Sequence, residues 1–116
     1  MKNKNLQDCI YACIACAVAC KQCANACLNE QDIKKLAYCI KLNHECAAIC
    51  FLAIDAMASV SEFAQQVCNL CEEVCKACAV ECEKHAHMDH CKDCAEACRV
   101  CAEVCRNMGK ENGLNN

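Results

Sequence analysis

Nineteen cysteines occur among the 116 residues, and their spacing says more than their number. Cys9, Cys13, Cys16, Cys20, Cys23 and Cys27 follow one another at alternating steps of four and three. Cys68, Cys71, Cys75, Cys78 and Cys82 keep the alternation, as do Cys91, Cys94, Cys98, Cys101 and Cys105. Cys39, Cys46 and Cys50 hold the same frame with members missing. A three-and-four step marks the buried seam of a helix, a place normally filled by leucine and isoleucine. Thiols fill it here. Thiolate is a soft ligand that selects Cu(I), Zn(II) or iron–sulfur clusters, so the seam predicts an interior that holds soft metal.

Number and geometry discriminate among those metals. A structural zinc site closes around four ligands, typically two cysteine pairs separated by a loop, and no segment shows that spacing. The run Cys68, Cys71, Cys75, Cys78 comes near an iron–sulfur pattern but lacks the proline and belongs to one continuous helix. Cu(I) accepts low coordination and bridging thiolates, so metal and sulfur are consumed nearly one to one along a sulfur-lined channel. Thiols four apart sit about one turn apart on the same face. Pairs such as Cys9/Cys13, Cys46/Cys50 and Cys101/Cys105 are therefore expected to chelate from a single helix. A Zn(II) or Cd(II) thiolate buffer is the alternative, and an iron–sulfur or thiol redox protein a more distant one. No histidine–carboxylate pair surrounds a lone activated cysteine, so no enzyme is expected.

The seams need helices to carry them, and punctuation divides the chain into four, at about 5–28, 31–57, 60–85 and 89–107. Asn29 to Asp32 read as a cap before helix 2, Ser59 with Glu62 as a capping box for helix 3, and Asp89 as a cap for helix 4. Gly109 and Gly113 are expected to end helix 4, leaving 109–116 as a disordered polar tail. Short connections between helices of ~20 to 25 residues imply an all-α, antiparallel up-down-up-down four-helix bundle over 1–108. Small residues beside the seams, such as Ala17, Ala24, Ala95 and Ala102, let the helices approach closely. Tyr11, Ile14 and Val18 form a second apolar stripe away from the cysteines, with Phe51 and Leu52 also outward. Such a stripe predicts burial against further copies of the chain.

Composition supports one soluble domain. Leu, Ile, Val and Phe supply only 22 residues, but free cysteine behaves as a small hydrophobe and restores the apolar fraction. A net charge of −3 with two Tyr and two Phe offers neither a basic footprint nor a stacking platform, so nucleic acid is not an expected partner. Cysteines sharing one helical face are poorly placed to bridge each other, which argues against a disulfide scaffold. Lys2 and Lys4 precede an apolar run, and Ala17-Val18-Ala19 imitates a cleavage site. The seam nevertheless continues in frame through Cys23 and Cys27, so the segment reads as mature helix and the location as cytoplasmic. No run approaches the ~20 apolar residues of a membrane span.

The C-x3-C and C-x2-C pairs repeated on four helices resemble the cytosolic bacterial copper storage proteins, over about residues 5–108. That resemblance implies a Cu(I) store holding many ions within the bundle, assembly into an oligomer, and copper admission at one end. All nineteen cysteines are then candidate ligands, and a copper chaperone joins the expected partners. Antiparallel order gathers His85, His87, Met88 and His90 at one mouth, beside Cys27, Cys82 and Cys91. His85 and His87 are expected to continue the seams of helices 3 and 4, and the group to pass copper inward. Met57 and Met108 meet Leu6 at the other end as an apolar plug. Asn43 takes a seam position, where it either fixes register or lends an oxygen to metal. His44 lies beside the seam and is not expected to ligate.

Overall fold

The computed structural model describes residues 4–111. Four helices, α1 (Lys4–Cys27), α2 (Ala37–Ala58), α3 (Ala64–Glu83) and α4 (Asp89–Glu111), form an elongated bundle of 48 × 18 × 18 Å. Helix α1 packs against α2 and α4, and α3 against the same two, so the four stand around a square with sequential neighbours adjacent. Sulfur contacts fix the directions. Cys9 lies at Cys105 and Cys23 at Cys91, so α1 and α4 run antiparallel. Cys39 lies at Cys82 and Cys50 at Cys71, which makes α2 and α3 antiparallel too.

The core consists of the seams. Every cysteine is buried, Cys105 at 2% exposure and the rest at 0%. Alanines such as Ala17, Ala47, Ala79 and Ala102 fill the spaces between them. Larger apolar side chains close the far end, where Met57 and Met108 are buried and Leu6 packs against the same cluster. Tyr11, Ile14, Val18, Phe51 and Leu52 are exposed on the outside of α1 and α2. By length and composition alone, α1 and the stretch 33–58 are apolar enough to cross a bilayer. The expectation that no run would reach that threshold is corrected by this. Cysteine supplies much of the apolarity, and it faces the bundle interior.

The helix ends differ from their expected places for local reasons. Asp32 makes no capping bond, so the chain enters through a 3-10 turn, Ile33–Leu36, and α2 starts at Ala37 rather than near 31. Buried Leu36 anchors that turn. Ser59 does not cap α3; its hydroxyl donates back to the Asp55 carbonyl, and it ends α2. The Ser61 and Val60 amides then bond the Ala56 and Met57 carbonyls, a Schellman closure. Val60 fills its left-handed position at φ 54°, a place usually given to glycine. A β-branched residue there costs roughly 1–2 kcal/mol. The Ser61 hydroxyl, in turn, accepts from the Phe63 amide, and α3 begins at Ala64. It ends at Glu83, where the Lys84 and His85 amides bond back in tight turns. Gly109 does not end α4, which continues through Glu111. Gly113 and the rest of the expected tail lie outside the described residues.

Candidate metal centre

All nineteen thiols are free and buried, and their sulfurs stack in groups along the bundle interior. Above the methionine floor, Cys9 and Cys105 stand 3.4 Å apart. Next, Cys13, Cys71, Cys101 and Cys105 form a quartet, with Cys13 to Cys101 at 3.7 Å. At mid-height Cys16 touches one sulfur from each other helix: Cys46 at 3.7 Å, Cys75 at 3.8 Å and Cys98 at 3.7 Å. Cys50 extends that layer toward Cys71 and Cys75 at 3.8 and 3.9 Å. Cys20, Cys78, Cys94 and Cys98 form the quartet above. Sulfurs of different helices thus approach as closely as those within a helix, where Cys71/Cys75 and Cys94/Cys98 lie at 3.8 and 4.0 Å.

Asn43 interrupts the sulfur column. It is fully buried, and its Oδ1 accepts from the thiols of Cys78 (3.3 Å), Cys94 (3.4 Å) and Cys82 (3.6 Å). Its Nδ2 donates to Cys39 at 3.9 Å. One amide therefore ties α2 to α3 and α4 at a single height, the arrangement a register-fixing residue requires. The same oxygen faces three thiols.

At the mouth, the structure selects among the histidines. His90 Nδ1 lies 3.7 Å from Cys23, 3.9 Å from Cys27 and 3.5 Å from Cys91, and these four residues form a further grouping. Its Nε2 bonds Glu30 Oε2 at 3.1 Å. His85 and His87 do not continue the seams as expected. His85 turns to the largely buried carboxylate of Glu81 at 3.1 Å, and His87 is exposed, because the chain has left helical geometry after Glu83. Met88 is half-buried against the core and borders a cleft with His85, His87 and Glu30. His44 stands outside, its ring nitrogen 3.0 Å from Lys21 Nζ. The sequence reading gave Glu30 only to the cap before helix 2, although its place three residues after Cys27 in a connecting turn was a usable signal.

Electrostatics raise twelve of the nineteen thiols and lower the other seven. Among the described residues the buried polar side chains are Asn43 and Glu81, so no cation compensates an interior thiolate. The Cys27 thiol is pushed up to about 12, first by burial and then by the neighbouring sulfurs Cys23 and Cys39. Burial likewise raises Cys91. Hydrogen bonds with neighbouring thiols, foremost those with Cys16, raise Cys20 and Cys98. Seven thiols go the other way, Cys16, Cys23, Cys46, Cys71, Cys78, Cys94 and Cys105, with Cys23 down to about 6 because Cys39 and Cys82 hydrogen-bond its thiolate.

A family model described as "Copper storage protein" matches residues 2–110. The curated "Uncharacterized cysteine-rich protein YhjQ" of Bacillus subtilis is 51% identical over 86 residues, 74% of this chain and 79% of its own. Among solved structures, the Cu(I)-bound copper storage protein BsCsp3 is 47% identical with a TM-score of 0.87, over 91% of this chain and 99% of that one. A cytosolic copper storage protein from Streptomyces lividans, solved with five coppers, is 36% identical with a TM-score of 0.88, over 95% and 96% of the two chains.

Proposed function

This chain belongs to the copper storage protein family, and from that premise we propose that it is a high-capacity Cu(I) store whose thiolates hold many ions along the bundle axis. The observation that carries this reading is the sulfur column, in which thiols from all four helices lie at 3.4–4.0 Å. A sulfur with three such neighbours, as Cys16 has, is placed to bridge two metal ions. Each Cu(I) that displaces one thiol proton leaves the interior without added charge, which suits a core lacking cations. All nineteen cysteines are assigned as ligands. His90 and Met88 are assigned to the mouth as the groups that first meet copper, and Cys23 as the thiolate that receives it. Asn43 is assigned to register, with its oxygen available to a neighbouring ion. The family is one of copper stores, and storage asks no catalysis of these residues.

The test is an anaerobic titration of the fully reduced protein with Cu(I) against a competing chelator. The expected plateau lies near the 19 cysteines per chain. A plateau of about four or fewer would match closed four-thiol sites and end the storage reading.

We assign the chain to the cytoplasm, where its thiols stay reduced. The exposed Tyr11, Ile14 and Val18 stripe, with Phe51 and Leu52, is assigned to contacts between copies of the chain. Light scattering should then return a multiple of 12.7 kDa, and a monomer at every concentration would discount those contacts.

A further inference from the structure

The geometry points to a second kind of metal at the mouth: we infer that in the copper-free protein Cys23, Cys27, Cys91 and His90 hold one Zn(II), which Cu(I) displaces as the store fills. A tetrahedral zinc with Zn–S about 2.3 Å and Zn–N about 2.0–2.1 Å separates its sulfurs by about 3.8 Å and each sulfur from the nitrogen by about 3.6 Å. The three sulfur–sulfur distances here are 4.0, 3.7 and 3.9 Å. The three sulfur–nitrogen distances are 3.7, 3.9 and 3.5 Å. All six edges of the tetrahedron are therefore in place within a few tenths of an ångström, before any ion draws them together. Three cysteines and one histidine are also a ligand set that closed zinc sites use.

Glu30 completes the arrangement. A carboxylate only accepts, so its bond to Nε2 places the proton there and leaves the Nδ1 lone pair directed at the three sulfurs. A carboxylate that orients a ligating histidine in this way is the usual outer partner of a zinc site. His90 and Glu30 keep 21% and 40% of their side chains exposed, so an ion reaches the site without crossing the core.

Charge explains why zinc stops there. Four thiolates around Zn(II) leave two negative charges, and the all-thiol quartets inside are fully buried with no cation beside them. The mouth set uses a neutral ring in place of the fourth thiolate, leaves one negative charge, and lies next to water. Cu(I), matched one to one with thiolate, adds none. This charge comparison rests on the Cu(I) reading of the core; the tetrahedral geometry does not.

The experiment titrates reduced, metal-free protein with Zn(II) against a chromophoric chelator, and with Co(II) as a spectroscopic probe. Expected is about one tight equivalent per chain, with the intense visible bands of tetrahedral cobalt–thiolate. His90→Ala and Cys91→Ser should each abolish tight binding, and Glu30→Gln should weaken it roughly 10- to 100-fold. Cys13→Ser with Cys101→Ser, deep in the bundle, should leave the zinc equivalent unchanged. Far-UV circular dichroism of every variant checks that the bundle is intact. No tight zinc, several equivalents per chain, or one equivalent indifferent to both His90→Ala and Cys91→Ser would overturn the assignment. A Cu(I) plateau measured on the same preparation separates that failure from a failure of the storage reading.

Discussion

Cu(I) loading should transform the stability of this bundle: the loaded form should stay helical at guanidinium concentrations that fully unfold the reduced, metal-free form. The metal-free core is poor in packing energy. Its large buried apolar side chains are Leu36, Leu42, Met57 and Met108, and the remainder is thiol and alanine. Fully burying a leucine or methionine contributes about 1.5–3 kcal/mol, and deleting a methylene forgoes about 0.8 kcal/mol. A seam of cysteine therefore gives up much of what leucine would supply. A ligand bound only by the folded state adds about 4 kcal/mol per independent site at a thousand times its dissociation constant. Even partial filling should thus exceed the 5–15 kcal/mol total of an ordinary domain. Guanidinium unfolding followed by far-UV circular dichroism checks the difference. Hydrogen exchange should slow along α1 to α4 in parallel, since ions bridging sulfurs of different helices oppose local opening. Equal midpoints for the two forms would mean that the metal does not tie the helices together.

Replacing Cys16, Cys46, Cys75 and Cys98 together by serine should remove more copper than four independent ligands would. These four sulfurs meet at mid-height, one from each helix, at 3.6–4.0 Å. Cys20 and Cys50 contact them in turn, at 3.8 Å to Cys98 and 3.9 Å to Cys75. If thiolates bridge, an ion loses its place when either of its sulfurs is gone, so the plateau should fall by more than about four per chain. Serine keeps the shape but buries a hydroxyl, at about 1–3 kcal/mol where it finds no partner. The metal-free variant should consequently be less stable, and its helicity must be verified before titration. A matched quartet of alanines separates the loss of ligands from the cost of buried hydroxyls. An unchanged plateau in folded variants would reduce the central thiols to core filler and leave storage to the ends of the column.

The sequence alone was enough for the helices, the seam and the metal class. Local periodicity determines which face of a helix a residue occupies, and that information lies wholly in spacings such as Cys9 to Cys27. Softness is a property of the sulfur itself, so the preference for a soft metal such as Cu(I) or Zn(II) needs no coordinates. The outward Tyr11, Ile14 and Val18 stripe and the Met57/Met108 end follow from the same periodicity. Only the tertiary structure decided which thiols are neighbours. Cys16 meets Cys46, Cys75 and Cys98 because of the relative height and rotation of four helices, and spacing within one helix carries no record of either. The mouth shows the same division. Counting residues placed His85 and His87 on the seams, but α3 ends at Glu83, and the turn that follows gives the inward position to His90, with Glu30 behind it. Val60 in a glycine-like conformation and the 3-10 start before α2 are likewise settled by how neighbouring helices must meet, a constraint that acts between elements and outweighs local residue preference.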